Sequence, residues 1–156
     1  MLNPNWKQKS VKEQKRFKKA LSKKPDRKVI RELAVWHKEA FDKIDCLDCA
    51  ACCKNHSPRF KAPDIKRIAK YLGMKEGAFI KQYLLLDNEN DYVLQSSPCT
   101  FLDEDNTCQI YDARPSDCAR YPYTNEDVFL KRKSITLKNT QVCPAAFYVM
   151  NKIVSQ

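Results

Sequence analysis

The string Cys46-Leu-Asp-Cys49-Ala-Ala-Cys52-Cys53 constrains this chain more than any other feature. Two residues between cysteines bring their sulfurs within reach of one metal centre once the backbone turns. Cys99, Cys108, Cys118 and Cys143 stand singly downstream, so all eight cysteines lie at or beyond position 46. The first residues, Met1-Leu2-Asn3-Pro4-Asn5-Trp6, run into lysines with no apolar stretch of signal-peptide length, so a cytoplasmic protein is expected. Structural disulfides are rare in a reducing cytosol, and cysteines there are more often metal ligands or redox groups. A disulfide framework is the alternative, and an export route would restore it.

Spacing narrows the chemistry. C-x2-C-x2-C matches the start of bacterial-type iron–sulfur sites, whose remaining cysteine is commonly followed by proline. Cys143-Pro144 supplies such a remote pair. Structural zinc sites more often join two C-x2-C units, or one unit with a close histidine pair, and neither His37 nor His56 has a neighbouring histidine. The spacing therefore leans toward iron–sulfur over zinc. Adjacent side chains diverge by about 100° on a helix and oppose each other on a strand. Cys52 and Cys53 are accordingly expected to serve separate sites, or to leave one as a bystander. One division places Cys46, Cys49, Cys52 and Cys143 on one tetrathiolate site and Cys53, Cys99, Cys108 and Cys118 on another. The opposite partition stays open. Lys54, Arg59, Arg114 and Arg120 are close enough in sequence to balance thiolate charge, with solvated surface charge as the equal reading of each.

Charge separates the chain into two parts. The whole carries a net charge of +10 over 156 residues, a nucleic-acid binder's balance at first sight. Residues 1–24 hold nine Lys or Arg and one acid, Glu13, so +8 of the +10 belongs to them. The expected organisation is a basic helical N-terminal extension over 1–44 and a cysteine-cluster metal-binding domain over 45–156. No uncharged apolar run approaches the roughly 20 residues that a transmembrane helix needs, so no membrane contact is expected.

Residues 10–23 are helix formers with few apolar anchors, Val11, Phe17, Ala20 and Leu21. After Pro25, Asp26 is a plausible N-cap for a helix whose apolar stripe is Ile30, Leu33, Ala34, His37, Phe41 and Ile44. Pro63-Asp64 starts a short helix capped by Gly73, and a second short helix covers 76–84. Tyr83–Leu86 and Tyr92–Leu94 flank a polar turn and read as a β-hairpin. Residues 99–123 read as loop with extended pieces such as 109–111, Val128–Leu137 as strand, and Pro144–Val154 as a closing helix. The fold class expected is a small, loop-rich α+β domain organised by its cysteines and metal, with a helical N-terminal extension. Phosphate-cradling glycine motifs are absent.

Several motifs in fixed order carry a family resemblance. They are Cys46-x2-Cys49-x2-Cys52-Cys53, Pro98-Cys99-Thr-Phe101-Leu102, Cys108-Gln-Ile110-Tyr111-Asp-Ala-Arg114-Pro115-Ser-Asp-Cys118 and Tyr121-Pro122. Together they resemble the YkgJ-like CxxCxxCC cysteine-cluster family, largely bacterial proteins described as zinc- or iron-chelating. The resemblance covers about residues 46–147 and implies Cys46, Cys49, Cys52, Cys53, Cys99, Cys108, Cys118 and Cys143 as metal ligands. It also implies kinship with flagellin lysine N-methylase, a larger protein with a similar cluster. Two positions depart from the family pattern. Ala50 stands where a glycine usually follows the second cysteine, and Ala119 then Arg120 stand where arginine often follows directly after the Cys118 position.

The remaining candidates have plainer readings. His37 fits a core or boundary histidine, and His56, three residues after Cys53, is the better ligand candidate though a loop histidine is the simpler reading. Tyr111, Tyr121 and Tyr123 are expected to pack around the cysteine-rich loops, and Asp103-Glu104-Asp105 to form a solvated turn. No Ser-His-Asp arrangement can be inferred, and no catalytic residue is assigned. The function expected is a cytosolic metal-binding protein, holding iron, an iron–sulfur cluster or zinc, in a redox or metal-handling role. The alternatives are a protein-modifying enzyme related to the N-methylase, and a metal-stapled nucleic-acid-binding module. The Lys-rich N-terminus is the expected point of contact with a protein or nucleic acid.

Overall fold

A computed structural model of the chain describes residues 4–156; Met1-Leu2-Asn3, where the N-terminal extension starts, lie outside the described residues. The architecture is α+β, dominated by helices, with one two-stranded sheet. The chain divides into two compact units: residues 1–48 with 122–156, and residues 49–121. The boundary expected at 44/45 is one of composition and motif. The units follow packing instead, because the N-terminal helices share their core with the C-terminal ones.

In the first unit the N-terminal extension is helical: α1 spans Trp6–Ser22 and α2 spans Arg27–Phe41. Asp26 caps α2, its carboxylate accepting the Lys28 N–H at 2.8 Å. The stripe that α2 buries is Leu33, Trp36 and Ala40, while Ile30 is 38% exposed. The helix is rolled relative to the expected stripe because the indole of Trp36 has more apolar area to hide than Ile30 does. α10, Pro144–Val154, supplies the apolar centre with Ala145, Ala146, Phe147, Val149 and Met150. Its proline at the first turn costs no hydrogen bond there. α1 contributes Phe17 and Leu21, and Val11 points outward.

The expected strand over 128–137 is not formed. This stretch is α8, Val128–Lys131, followed by α9, Lys133–Val142. Packing overrides the β-branched composition: Phe129 and Leu130 enter the core, and the Thr136 hydroxyl donates to the Phe129 carbonyl at 2.5 Å. α9 then meets α1 through a buried polar seam. Ser10 Oγ donates to the Thr140 carbonyl at 2.7 Å, and Gln14 Nε2 reaches Thr140 Oγ1 at 3.0 Å. Threonine and serine are suited to this contact because each pairs locally with backbone while covering little area.

The second unit contains α4 (Ala51–Asn55), α5 (Ala62–Tyr71), α6 (Glu76–Tyr83), β1 (Leu84–Leu86), β2 (Tyr92–Leu94), a 3-10 turn at Tyr111–Ala113 and α7 (Ser116–Arg120). α3, Cys46–Cys49, is the single turn that leads into it. Gly73 ends α5 at φ +68°, a left-handed conformation that glycine adopts without strain. The hairpin pairs Leu84 with Leu94, Leu85 with Val93 and Leu86 with Tyr92, around a turn in which Asp87 Oδ1 accepts the N–H groups of Glu89 and Asp91. Phe60, Ile68, Phe79, Phe101 and Ile110 form the core, with Phe79 stacked on Phe101 at 6.4 Å. Residues 109–111, expected as extended, instead form a turn that enters the 3-10 helix. Among the described residues no helix is long and apolar enough to cross a membrane.

Asp64 ties this unit together. Its buried carboxylate accepts from the Lys61 N–H at 3.1 Å, from the Ser116 N–H at 3.0 Å and from Arg67 Nη2 at 2.8 Å. One side chain thus caps α5 and anchors the start of α7. Burial would raise its pKa, but the Arg67 bond and the two backbone amides outweigh this and hold it below the ordinary carboxylate value. A depressed folded-state pKa gives stability that is present above the unfolded value of about 3.9 and is lost as pH falls through the folded value. Asp64→Asn should therefore cost about 1–3 kcal/mol at neutral pH, with the gap from the native protein closing below about pH 4. Urea unfolding at a series of pH values measures both.

Candidate metal centre

Four cysteines of the second unit, Cys53, Cys99, Cys108 and Cys118, influence one another's charge, and three local devices set their backbone positions. α4 carries Cys53, whose carbonyl accepts the Cys99 N–H at 2.9 Å. Cys99 and Cys108 are then joined by a tight β-turn structure: Leu102 bridges to Cys108, Gln109 N–H donates to the Phe101 carbonyl, and Asp103 N–H donates to the Thr107 carbonyl. α7 carries Cys118, behind the Asp64–Ser116 anchor. The Asp103-Glu104-Asp105 run is the tip of that turn. Asp105 Oδ1 accepts the Thr107 N–H and hydroxyl, Asp103 Oδ1 accepts Gln109 Nε2, and Asn106 takes φ +66°. These carboxylates close the loop between Cys99 and Cys108.

The thiols report each other's charge. Burial pushes the Cys99 thiol up, and the charges of Cys53 and Cys108 add to it. Burial likewise raises Cys108, with Cys53 again contributing. Cys118 is exposed as a residue. Lost hydration raises that thiol most, followed by Cys53, Cys99, Cys108 and Asp117. Cys53 moves the other way. Its sulfur lies 4.0 Å from that of Cys52, and this contact, with help from its own backbone N–H and Lys54, brings it to about 7 against the effect of burial. The backbone also favours thiolate at two of these positions, as the N–H groups of Phe101 and Leu102 point at the Cys99 sulfur and that of Ile110 at Cys108. Arg114 lowers Cys108 as well, while its guanidinium covers the Tyr111 ring at 3.9 Å.

The adjacent pair behaves differently from the expectation of divergence. On α4 the side chains of Cys52 and Cys53 rotate toward each other, and 4.0 Å is close to the edge of a tetrathiolate site, about 3.8 Å for metal–sulfur bonds of 2.3 Å. Divergence of Cβ directions does not prevent convergence of sulfurs one bond further out. Cys49 ends α3 and belongs to the same unit, whereas Cys46 and Cys143 belong to the first unit. Among the described residues no three His, Cys, Asp or Glu side chains stand close enough to hold an ion as they are. The donor chemistry nevertheless fits a soft cation: thiols with amide donors aimed at them, near lysine and arginine.

The other candidates are structural. His37 Nδ1 is 2.8 Å from Thr124 Oγ1, its ring is 4.7 Å from Phe41, and partial burial lowers its pKa. His56 packs its ring against Tyr121 at 5.9 Å, and its N–H donates to the Cys52 carbonyl. Arg59 bonds Asp117 at 3.0 Å, with Lys61 at 3.6 Å from the other carboxylate oxygen. Asp117, next to Cys118, was not singled out by sequence, and no local spacing signals it.

Ala50, between the two cysteine turns, adopts φ +44° and ψ +19° while 4% exposed. The left-handed conformation explains why glycine suits this position: a Cβ there costs about 1–2 kcal/mol, and alanine is the smallest residue that carries one. Ala50→Gly should leave stability within about 1 kcal/mol, strain relief offsetting the lost methyl burial. Ala50→Val, β-branched at positive φ, should cost about 2–4 kcal/mol. Thermal and urea unfolding of the two variants check the contrast.

One protein-family model matches residues 45–144, and its description is CxxCxxCC, "Putative zinc- or iron-chelating domain". No curated protein and no solved structure matches the chain. The family match spans the unit that gathers Cys53, Cys99, Cys108 and Cys118 and reaches Cys143-Pro144. This chain belongs to the CxxCxxCC family of zinc- or iron-chelating domains.

Proposed function

We propose that the protein is a cytosolic metal-binding protein in which Cys53, Cys99, Cys108 and Cys118 hold one zinc or iron centre, serving a redox or metal-handling role. The observation that carries this reading is the family match over residues 45–144, together with the backbone bond from the Cys99 N–H to the Cys53 carbonyl and the electrostatic influence of Cys53 on the other three thiols. A divalent cation replaces that repulsion with attraction, and the amides aimed at Cys99 and Cys108 stabilise their thiolates when metal is bound. Cys52, beside Cys53, extends the donor set toward a second ion or a cluster, with Cys49 next in sequence. The C-x2-C-x2-C spacing supports the iron–sulfur form of the centre.

The Lys-rich α1 is the part of the molecule that meets a macromolecular partner, protein or nucleic acid. Its exposed lysines precede every cysteine in the sequence.

Protein purified anaerobically should carry at least one zinc or iron per chain by elemental analysis. A brown protein with visible absorbance and stoichiometric sulfide identifies the cluster form, and a colourless zinc protein the mononuclear one. Cys99→Ser or Cys118→Ser should remove at least one metal equivalent, whereas His37→Gln should leave metal content unchanged. Full metal retention in both cysteine variants would exclude these ligands.

A further inference from the structure

We propose that the outer face of α1, continued through Lys23 and Lys24 into the first turn of α2, binds the phosphate backbone of a nucleic acid. The proposal deepens the partner reading above and is independent of the metal centre. Ser10, Phe17 and Leu21 mark the buried side of α1. Lys9, Lys12, Lys15, Arg16, Lys18 and Lys19 occupy the opposite side and every one is exposed. At 100° per residue they cover about half the helix circumference. Glu13 is the one acid on the helix, and it pairs with Arg16 at 3.4 Å.

This arrangement works against the stability of the helices. Lys12 stands three and four residues from Lys15 and Arg16, and Lys15 from Lys18 and Lys19, a spacing at which like charges repel. Lys7 lies in the first turn of α1, and Arg27 and Lys28 begin α2. The first turn of α1 holds no acid, although the helix dipole disfavours cations there, while at α2 the Asp26 cap offsets Arg27 and Lys28. A local electrostatic conflict kept over three turns marks a surface selected for a partner, and a polyanion relieves every part of it.

The kind of polyanion follows from what else the face offers. A helix that lies on a bilayer buries its apolar side in lipid, but that side of α1 is already the core, with Phe17 fully buried. Protein interface cores are depleted in lysine and enriched in aromatics, and the exposed face has one large apolar side chain, Val11. Lysines, as flexible point charges, suit a regular row of phosphates and impose no base sequence.

The test is fluorescence anisotropy with labelled single-stranded and duplex DNA of about 20 nucleotides and the full-length protein between about 50 and 200 mM salt. The logarithm of the binding constant should fall linearly with the logarithm of salt concentration. The triple variant Lys12→Gln, Lys15→Gln, Lys19→Gln should weaken binding at least tenfold at the lower salt. It should also reduce the magnitude of the salt slope by roughly 2–3, with helical circular dichroism and metal content unchanged. Absence of DNA binding at about 50 mM salt, or an unaltered slope in the triple variant, would overturn the proposal. Binding of polyglutamate without DNA would also overturn it, while leaving an acidic protein partner for α1, and binding of phosphatidylserine vesicles alone would overturn both readings. Indifference to all three probes would remove both readings. The salt slope of the unsubstituted protein stands as an arm that needs no variant to fold.

Discussion

Thiols that sense one another's charge resist ionising together, and the arrangement of the second unit answers that constraint. Each of Cys99, Cys108 and Cys118 has its thiol raised first by burial and then by its neighbours, and Cys53 is the neighbour common to all three. Around them the backbone turns its N–H groups inward, the acidic turn at 103–105 keeps its carboxylates on its own amides and side chains, and Asp64 fixes the start of α7. Packing alone would not ask for four cysteines here, since a small aliphatic side chain fills such space without a charge to manage. Their chemistry, rather than their volume, accounts for them.

Much of this could be read along the chain, for identifiable reasons. Helices announced by a cap or breaker, such as α2 after Asp26 and α5 before Gly73, have local causes and stand where sequence puts them. The hairpin at 84–94 is equally local. Residues 128–137 form no strand because Val128, Ile135 and Thr136 speak for β structure only while their neighbours are ignored. Phe129, Leu130 and Thr140 are claimed by helices far away in sequence. The roll of α2 that buries Trp36 has the same non-local origin.

The site was legible in its residue types and less so in its arrangement. Spacing identifies cysteines as donors, but grouping depends on folds of the loop between 99 and 118 that no spacing encodes. The adjacent pair shows the limit of backbone periodicity, because a rotation at the Cys52 and Cys53 side chains undoes what their Cβ directions imply. The left-handed Ala50, by contrast, gives physical content to a departure from the family pattern: the position asks for a conformation, and the side chain is tolerated. Asp117, paired with Arg59, and Thr124, bonded to His37, are neighbours of named candidates that only tertiary structure reveals.

The order of residues along the chain gives the two units different histories. The first is assembled from both ends of the polypeptide, and the second is a single uninterrupted segment. At a synthesis rate of about 5–20 residues per second, roughly 5–20 s pass between the end of α2 and the appearance of α10. During that interval the ribosome completes every part of the cysteine-bearing unit while Phe17, Leu33 and Trp36 still await the helix that covers them. A nascent chain of this order can fold the unit at 49–121 while the core of the first unit still lacks α10.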